Sequence, residues 1–93
     1  MLKVIKQEVV IQNRKGLHAR ASAQVVKLAE SFQADTFVCY QNMRVPAQSI
    51  MGLLMLGAGQ GAVIIIEGEG ADAAKAVSSL KDLIENKFGE DQW

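Results

Sequence analysis

The chain has 93 residues, of which 49% are hydrophobic, and its ten basic residues balance its ten acidic ones. This length suits one compact domain spanning residues 1–93, and we expect no second domain. A net charge of zero gives no indication of a nucleic-acid partner, and no apolar run approaches the roughly 20 residues that membrane insertion requires.

The N-terminal segment carries charges too early for a secretory signal peptide, so we expect a cytoplasmic protein. Cys39 is the single cysteine, which excludes an intrachain disulfide and a CxxC site. Because cysteines that take no part in chemistry are usually buried, we expect Cys39 to be a buried strand residue.

The first predicted element is a strand. Over residues 3–11, Ile5, Val9 and Ile11 occupy alternate positions while Lys6 points the other way, which is the pattern of a half-buried strand. An irregular segment follows. From Ala19, apolar residues recur at helical spacing, which predicts an amphipathic helix of about 13 residues. Its apolar positions are Val25, Val26, Ala29 and Phe32.

A second strand and a hairpin are predicted next. Residues Asp35–Gln41 are rich in β-branched and aromatic types, and Gln41-Asn42 suits a tight turn because asparagine tolerates the left-handed conformation. Met43–Val45 would then form a short edge strand. Pro46 fits such an edge because it donates no hydrogen bond to a neighbouring strand.

A short helix and a central strand follow. Ser49 can cap the helix, and Gly57, Gly59 and Gly61 can end it. These glycines precede a strand and lack the third glycine of the dinucleotide-binding pattern, so we interpret them as loop closure. Residues 62–68 are almost wholly apolar, which favours a central strand.

The last predicted element is a helix that Asp72 caps. Its apolar stripe has a spacing of three to four residues and comprises Ala73, Val77, Leu80, Ile84 and Phe88. Residues 89–93 should fray. The complete order is β-α-β-β-α-β-α, and each helix has one apolar side. These features predict a two-layer α/β sandwich, with the helices on one face of a mainly antiparallel sheet and water on the other.

His18, the chain's single histidine, lies where the irregular segment meets the first helix. A capping or half-buried histidine without chemistry is the default interpretation. A metal site is disfavoured because there is no second histidine or cysteine and no carboxylate at helical spacing. A hydrolytic triad is disfavoured because no nucleophile elbow is present.

A fourth interpretation is that His18 carries a phosphoryl group. Unperturbed histidine is mostly neutral at pH 7, so its ring can attack phosphorus without a neighbouring base. The dianionic product needs positive charge nearby. Arg20 can provide it, and Gly16 allows a tight turn before the helix. The N-terminal helix dipole and backbone N–H groups can add to it. The candidate N–H donors are those of Ala19, Ala21 and Ser22.

The short helix predicts a docking surface. Leu53 and Leu56 can face the core, but six large apolar residues in seven cannot all do so. Exposed apolar patches on small proteins often bind partners, and methionine adapts to several. The expected patch residues are Ile50, Met51, Leu54 and Met55.

Two sequence motifs bear on both the histidine and the docking surface. GLHAR at 16–20 and SIMGLLMLGAGQG at 49–61, with the intervening elements, make the whole chain resemble the HPr family of histidine-containing phosphocarriers. The resemblance implies an open-faced sandwich with sheet order 1-4-2-3. It also implies that His18 accepts a phosphoryl group at Nδ1 from phospho-enzyme I and passes it to an enzyme IIA-type protein. Arg20 would attend the phosphoryl group.

The resemblance carries further expectations. Ser49 would match a regulatory serine that an HPr kinase/phosphorylase modifies in many bacteria, and Leu17 would join the partner-binding patch. The sequence gives no sign of an obligate oligomer, so we expect a monomer, with a dimer through the apolar patch as the alternative, and no cofactor, no metal and no independent enzymatic turnover. Ala21 stands where many members have proline, a difference that suggests the nitrogen-type branch and leaves sugar transport unassured. The alternative is therefore a regulatory module whose phosphorylation state at His18 or Ser49 controls other proteins.

Overall fold

The computed structural model describes residues 4–89. Within this range it contains four strands, three α-helices and a final 3₁₀ turn, in the predicted order. The elements are β1 (Val4–Val10), α1 (Ala19–Ala29), β2 (Asp35–Tyr40), β3 (Met43–Pro46), α2 (Ile50–Leu56), β4 (Val63–Glu69), α3 (Ala73–Glu85) and the turn Lys87–Gly89.

The strands form one antiparallel sheet in the order β1-β4-β2-β3. The predicted central position of β4 is confirmed, because β4 pairs with both β1 and β2. Val9 lies opposite Ile64, and Val38 lies opposite Ile66. All four of these side chains are buried on the same face. This register gives the sheet one apolar face for the helices to cover.

The core lies between that face and the helices, as the apolar stripes predicted. Val25 of α1, Leu53 of α2 and Leu80 of α3 are all buried in one hydrophobic cluster with the sheet. The open-faced sandwich predicted from the resemblance is therefore confirmed. The fold places α1 against both α2 and α3.

The open face of the sheet is organised around Glu67. Its carboxylate accepts hydrogen bonds from Arg44 Nε at 3.0 Å and Cys39 Sγ at 3.3 Å, and Lys6 Nζ lies 3.9 Å away. The Arg44 guanidinium lies 3.7 Å from the centroid of the Phe37 ring. Burial alone would raise the pKa of Glu67, but the hydrogen bonds and the two cations outweigh it and lower that pKa.

The expectation of a buried Cys39 is wrong. Cys39 alternates with Val38, whose side chain faces the core, so the thiol lies half-buried on the open face. Partial burial is the main reason that its pKa is raised, and Glu67 adds to the effect. The thiol is therefore held in its protonated, less reactive form.

Several predicted ends differ from the structure. α1 has 11 residues and ends at Ala29, so Phe32 lies beyond the helix and packs half-buried against a second apolar cluster. α3 ends at Glu85, and Phe88 reaches the core from the 3₁₀ turn with a positive φ of 56°. Both phenylalanines continue the helical spacing in the sequence, but each packs against an apolar cluster from beyond the end of its helix.

The hairpin and the last cap also differ in detail. Gln41, not Asn42, takes the left-handed conformation, with φ at 55°. Asp72 is the N-cap residue of α3, but its side chain does not cap the helix. Its carboxylate instead accepts hydrogen bonds from the backbone N–H groups of Gln33 and Ala34, at 3.0 and 2.7 Å.

The predicted frayed tail lies mostly outside the described residues, since only Gly89 of that segment falls within 4–89. Among the helices of residues 4–89, none has the length and apolar character needed to cross a membrane.

Candidate functional site

His18 is the N-cap residue of α1. Its backbone is extended, with φ at −76° and ψ at −179°, and its side chain is half-buried at the protein surface. The backbone carbonyl of His18 accepts the first hydrogen bond of the helix, from Ser22 N–H at 2.8 Å. The imidazole is therefore attached at the point where the helix begins, as the sequence predicted.

A compact turn positions the segment before His18. The buried Asn13 donates from Nδ2 to the carbonyl of Gly16 at 2.8 Å, and Gly16 N–H donates to the carbonyl of Asn13 at 3.2 Å. Sequence reasoning assigned no role to Asn13. Asn13 lies three residues before the GLHAR motif, and its burial is visible only in the folded chain.

The loop after α2 supports the same segment. Leu17 N–H donates to the carbonyl of Ala58 at 3.0 Å, while Ile11 exchanges backbone hydrogen bonds with Gly61 and Ala62 at 2.8 and 2.9 Å. The glycine-containing loop, predicted only to connect α2 with the next strand, therefore also holds the segment before His18 in place.

Gly16 is required at the contact between these two segments. Its φ is 63°, and a Cβ atom there would lie 2.7 Å from the Cα atom of Gly59 and overlap the carbonyl oxygen of Ala58. Larger residues are excluded both by the left-handed backbone and by this close approach.

The predicted N–H donors need one correction. Ser22 N–H is engaged by the His18 carbonyl, and Ser22 Oγ donates to the carbonyl of Leu17 at 3.2 Å. Ser22 is also fully buried, as is Ala21. The N–H groups of Ala19 and Ala21 precede the first intrahelical hydrogen bond and so have no acceptor within the helix. Ala21 keeps an N–H that proline would lack.

Exposed basic residues lie on both sides of His18 in the chain. Arg20 is exposed in the first turn of α1, as are Arg14 and Lys15 before the helix and Lys27 near its end. No acidic residue occurs between positions 9 and 29. A chain with no net charge therefore presents a locally cationic surface at its histidine.

Ser49 occupies the predicted cap of α2. Its Oγ accepts a hydrogen bond from Gly52 N–H at 3.0 Å, and the side chain remains partly exposed. α2 packs beside α1, and the loop after α2 contacts Gly16 and Leu17, so the end of α2 opposite Ser49 meets the histidine segment.

The short helix divides its apolar residues as predicted. Leu53 and Leu56 are buried, whereas four others are exposed. We call these four residues the α2 patch: Ile50, Met51, Leu54 and Met55. Leu17 does not belong with them. It is 6% exposed and packs in the main core, so its side chain offers little surface to a partner.

The arrangement combines a histidine at a helix N-terminus, backbone N–H donors, surrounding cations and an adjacent apolar surface. The first three are features that can stabilise a dianion such as a phosphoryl group, and the fourth is of the kind that suits transient docking. Within the described residues, no group of three or more histidine, cysteine or acidic side chains could hold a metal ion.

Comparison with known proteins identifies the class and then the family. A model described as "PTS HPr component phosphorylation site" matches residues 5–86. This match places the chain among phosphocarriers of the phosphotransferase system. The chain belongs to the HPr family. Membership implies interaction with enzyme I and enzyme IIA-type proteins in general.

Three similar proteins illustrate the match. Phosphocarrier protein HPr of Neisseria meningitidis serogroup A is 46% identical over 94% of this chain and 98% of its own length. Phosphocarrier protein NPr of Shewanella violacea is 37% identical, covering 92% and 94% respectively. The structure of HPr-C-His from Thermoanaerobacter tengcongensis has a TM-score of 0.89 at 42% identity, covering 94% and 98%.

Proposed function

We propose that this phosphocarrier accepts a phosphoryl group on His18 from phospho-enzyme I and donates it to an enzyme IIA-type protein. The observation that supports this proposal most strongly is the position of His18 as the N-cap of α1. A group on this side chain lies at the positive end of the helix dipole, where anions are stabilised.

The transfer involves no oxidation or reduction. The lone pair of His18 Nδ1 attacks phosphorus, a nitrogen–phosphorus bond forms, and the bond from phosphorus to the donor group breaks. The N–H groups of Ala19 and Ala21 and the Arg20 guanidinium stabilise the phosphoryl oxygens. A nucleophile on the acceptor protein then attacks phosphorus, the nitrogen–phosphorus bond breaks, and His18 returns to its starting form.

The test is phosphotransfer from phosphoenolpyruvate and enzyme I, followed by phosphorus NMR on the wild type and on His18→Ala. We expect a phosphohistidine signal in the wild type and none in the variant. The control is the free energy of unfolding, which should change by no more than about 1 kcal/mol because the half-buried His18 side chain makes no capping hydrogen bond to its helix. Acceptance by the folded variant would disprove the assignment.

Arg20 has a narrower proposed role, which is stabilisation of the phosphoryl group. Arg20→Ala should slow acceptance by about tenfold, the loss expected for one charge-assisted hydrogen bond, and should change the phosphohistidine lifetime. Arg14→Ala is the matched control because Arg14 is also exposed but precedes the turn. Equal effects from both substitutions would mean that general charge, not a specific contact, is responsible.

We further propose that phosphorylation of Ser49 by an HPr kinase/phosphorylase regulates docking. A phosphate would add about −1.5 to −2 charges beside the α2 patch and oppose acidic partner surfaces. Ser49→Asp should keep the helix cap yet weaken enzyme I binding, whereas Ser49→Ala should lose about 1 kcal/mol of stability and bind normally. Equal binding by these two variants would argue against regulation through charge.

A second candidate function is favoured by the NPr relative and by Ala21 in place of the usual proline. In this alternative, phosphorylated and unphosphorylated forms control different proteins, and sugar transport is not the outcome. Pull-down with each form distinguishes the two functions, because a pure relay should retain only transient partners with interfaces of about 1,200 Å² or less.

The proposal includes a monomer acting in the cytoplasm. The single free cysteine fits a reducing compartment. The relay also requires the α2 patch to be accessible to successive partners, so a permanent dimer through that patch would obstruct it. Sedimentation of the purified protein at several concentrations tests whether it is a monomer.

A further inference from the structure

Two methionines are the most exposed large apolar side chains in the described part of the protein. Met51 and Met55 are 69% and 68% exposed. They are four positions apart in α2, so they lie one helical turn apart on its outer side. Met43 is 40% exposed and lies in β3, outside the α2 patch.

Exposure makes the two thioethers accessible to oxidants. Methionine oxidation converts a flexible apolar side chain into a polar sulfoxide, and reductases can reverse the reaction. A sulfoxide that is exposed to water stays hydrated, so it has no energetic cost in the unbound protein. When a partner covers it, however, its oxygen must find a hydrogen-bond donor or lose its hydration without compensation.

We propose that Met51 and Met55 form a modification site at which hydroperoxides reversibly weaken docking to relay partners. This inference rests on the proposed function. In each reaction the sulfur lone pair attacks one peroxide oxygen, the O–O bond breaks, and an S–O bond forms. Sulfur is oxidised by two electrons, and the remaining peroxide oxygen is reduced and protonated to an alcohol, or to water when the oxidant is hydrogen peroxide.

The structure separates this modification from the stability of the fold. Leu53 and Leu56 anchor the opposite side of α2 in the core, and Ser49 caps its start. Met51 and Met55 contribute little to that core because about two thirds of each residue is exposed. Oxidation should therefore change the docking surface while leaving α2 in place.

The experiment uses the full chain carrying Cys39→Ser, which removes the thiol as a competing target. Hydrogen peroxide is the oxidant, and peptide mass spectrometry locates each gain of about 16 Da. Acceptance from phospho-enzyme I is measured at subsaturating concentration. We expect it to fall about tenfold or more when both methionines are sulfoxides. Treatment with both methionine sulfoxide reductases should restore the rate.

Two variants in the same background act as controls. In Met51→Leu/Met55→Leu the ratio of rates before and after peroxide should stay near one, whatever the initial rate. Met43→Leu should retain the full loss. Circular dichroism checks that the oxidised protein is still folded.

Each outcome decides the proposal. Normal acceptance by the doubly oxidised, folded protein would overturn the inference and leave the proposed function intact. A loss that persists in Met51→Leu/Met55→Leu would also overturn it, because another residue would be responsible. Failure of the unoxidised protein to accept a phosphoryl group would overturn both proposals together.

Discussion

At the residue scale, the histidine site depends on residues that take no part in phosphoryl chemistry. Gly16 allows two loops to approach within contact distance, and Asn13 closes the turn that ends at Gly16. These residues act by limiting where the His18 backbone can lie. Preorganisation of this kind matters because a transfer reaction is sensitive to small displacements of the reacting atoms.

Replacement of Gly16 should destabilise the fold far more than replacement of Gly59, which lies on the other side of the same contact. Gly16→Ala requires a left-handed alanine and an overlap with backbone atoms, so we expect a loss of about 2–4 kcal/mol in the free energy of unfolding. Gly59→Ala is the control, because a Cβ there would meet nothing within 4 Å. Urea denaturation measures both. Equal losses would show that the contact is more adaptable than it looks.

At the scale of the elements, α2 and α3 show different uses of a polar N-cap residue. Ser49 caps its own helix. Asp72 instead ties the start of α3 to the segment between α1 and β2 through two backbone hydrogen bonds. The bond from Gln33 is the main cause of the lowered pKa of Asp72, and the bond from Ala34 adds to it.

This connection should depend on pH. The pKa of Asp72 in the folded protein lies below its ordinary value of 3.8, so the carboxylate favours the folded state above that value. The contribution is lost as the pH falls below 3.8 through the folded pKa. Urea denaturation from pH 7 to pH 2.5 should show the stability gap between wild type and Asp72→Ala narrowing with acidification. A gap that stays constant would contradict this role.

At the scale of the whole molecule, charge is distributed unevenly although the total is zero. The segment before His18 and α1 carry exposed basic residues and no acidic ones, while the open sheet face pairs Glu67 with Arg44 and Lys6. The paired charges contribute to a local network. The cations around His18 instead create a surface that attracts acidic partners over distances comparable with the Debye length.

Phosphotransfer should therefore be sensitive to salt, whereas folding should not. Raising NaCl from 20 to 500 mM should slow acceptance from enzyme I by roughly tenfold, because screening reduces electrostatically steered association. Arg14→Gln/Lys27→Gln should flatten this dependence, and Lys75→Gln/Lys81→Gln in α3 should leave it unchanged. Identical salt profiles for all these variants would show that steering does not use the His18 surface. Denaturation at both salt concentrations checks the fold.

Local patterns were sufficient to predict the elements, the central position of β4 and the exposure of the α2 patch. These follow from hydrophobic spacing, which reports which side of an element is buried. The resemblance to HPr added the sheet order. Predictions failed where a residue's environment comes from distant segments: Cys39 lies on the open face, Leu17 in the core, and Phe32 and Phe88 beyond their helices.

The sequence by itself determined that this chain folds as a two-layer sandwich with His18 at the start of a helix, because alternation, helical spacing and capping residues act over a few neighbouring positions. Only the tertiary structure decided that Gly16 meets the loop after α2, that Leu17 N–H donates to the carbonyl of Ala58, and that Asp72 binds another segment. These contacts join residues brought together by packing of the layers, and sequence spacing carries no record of such distances.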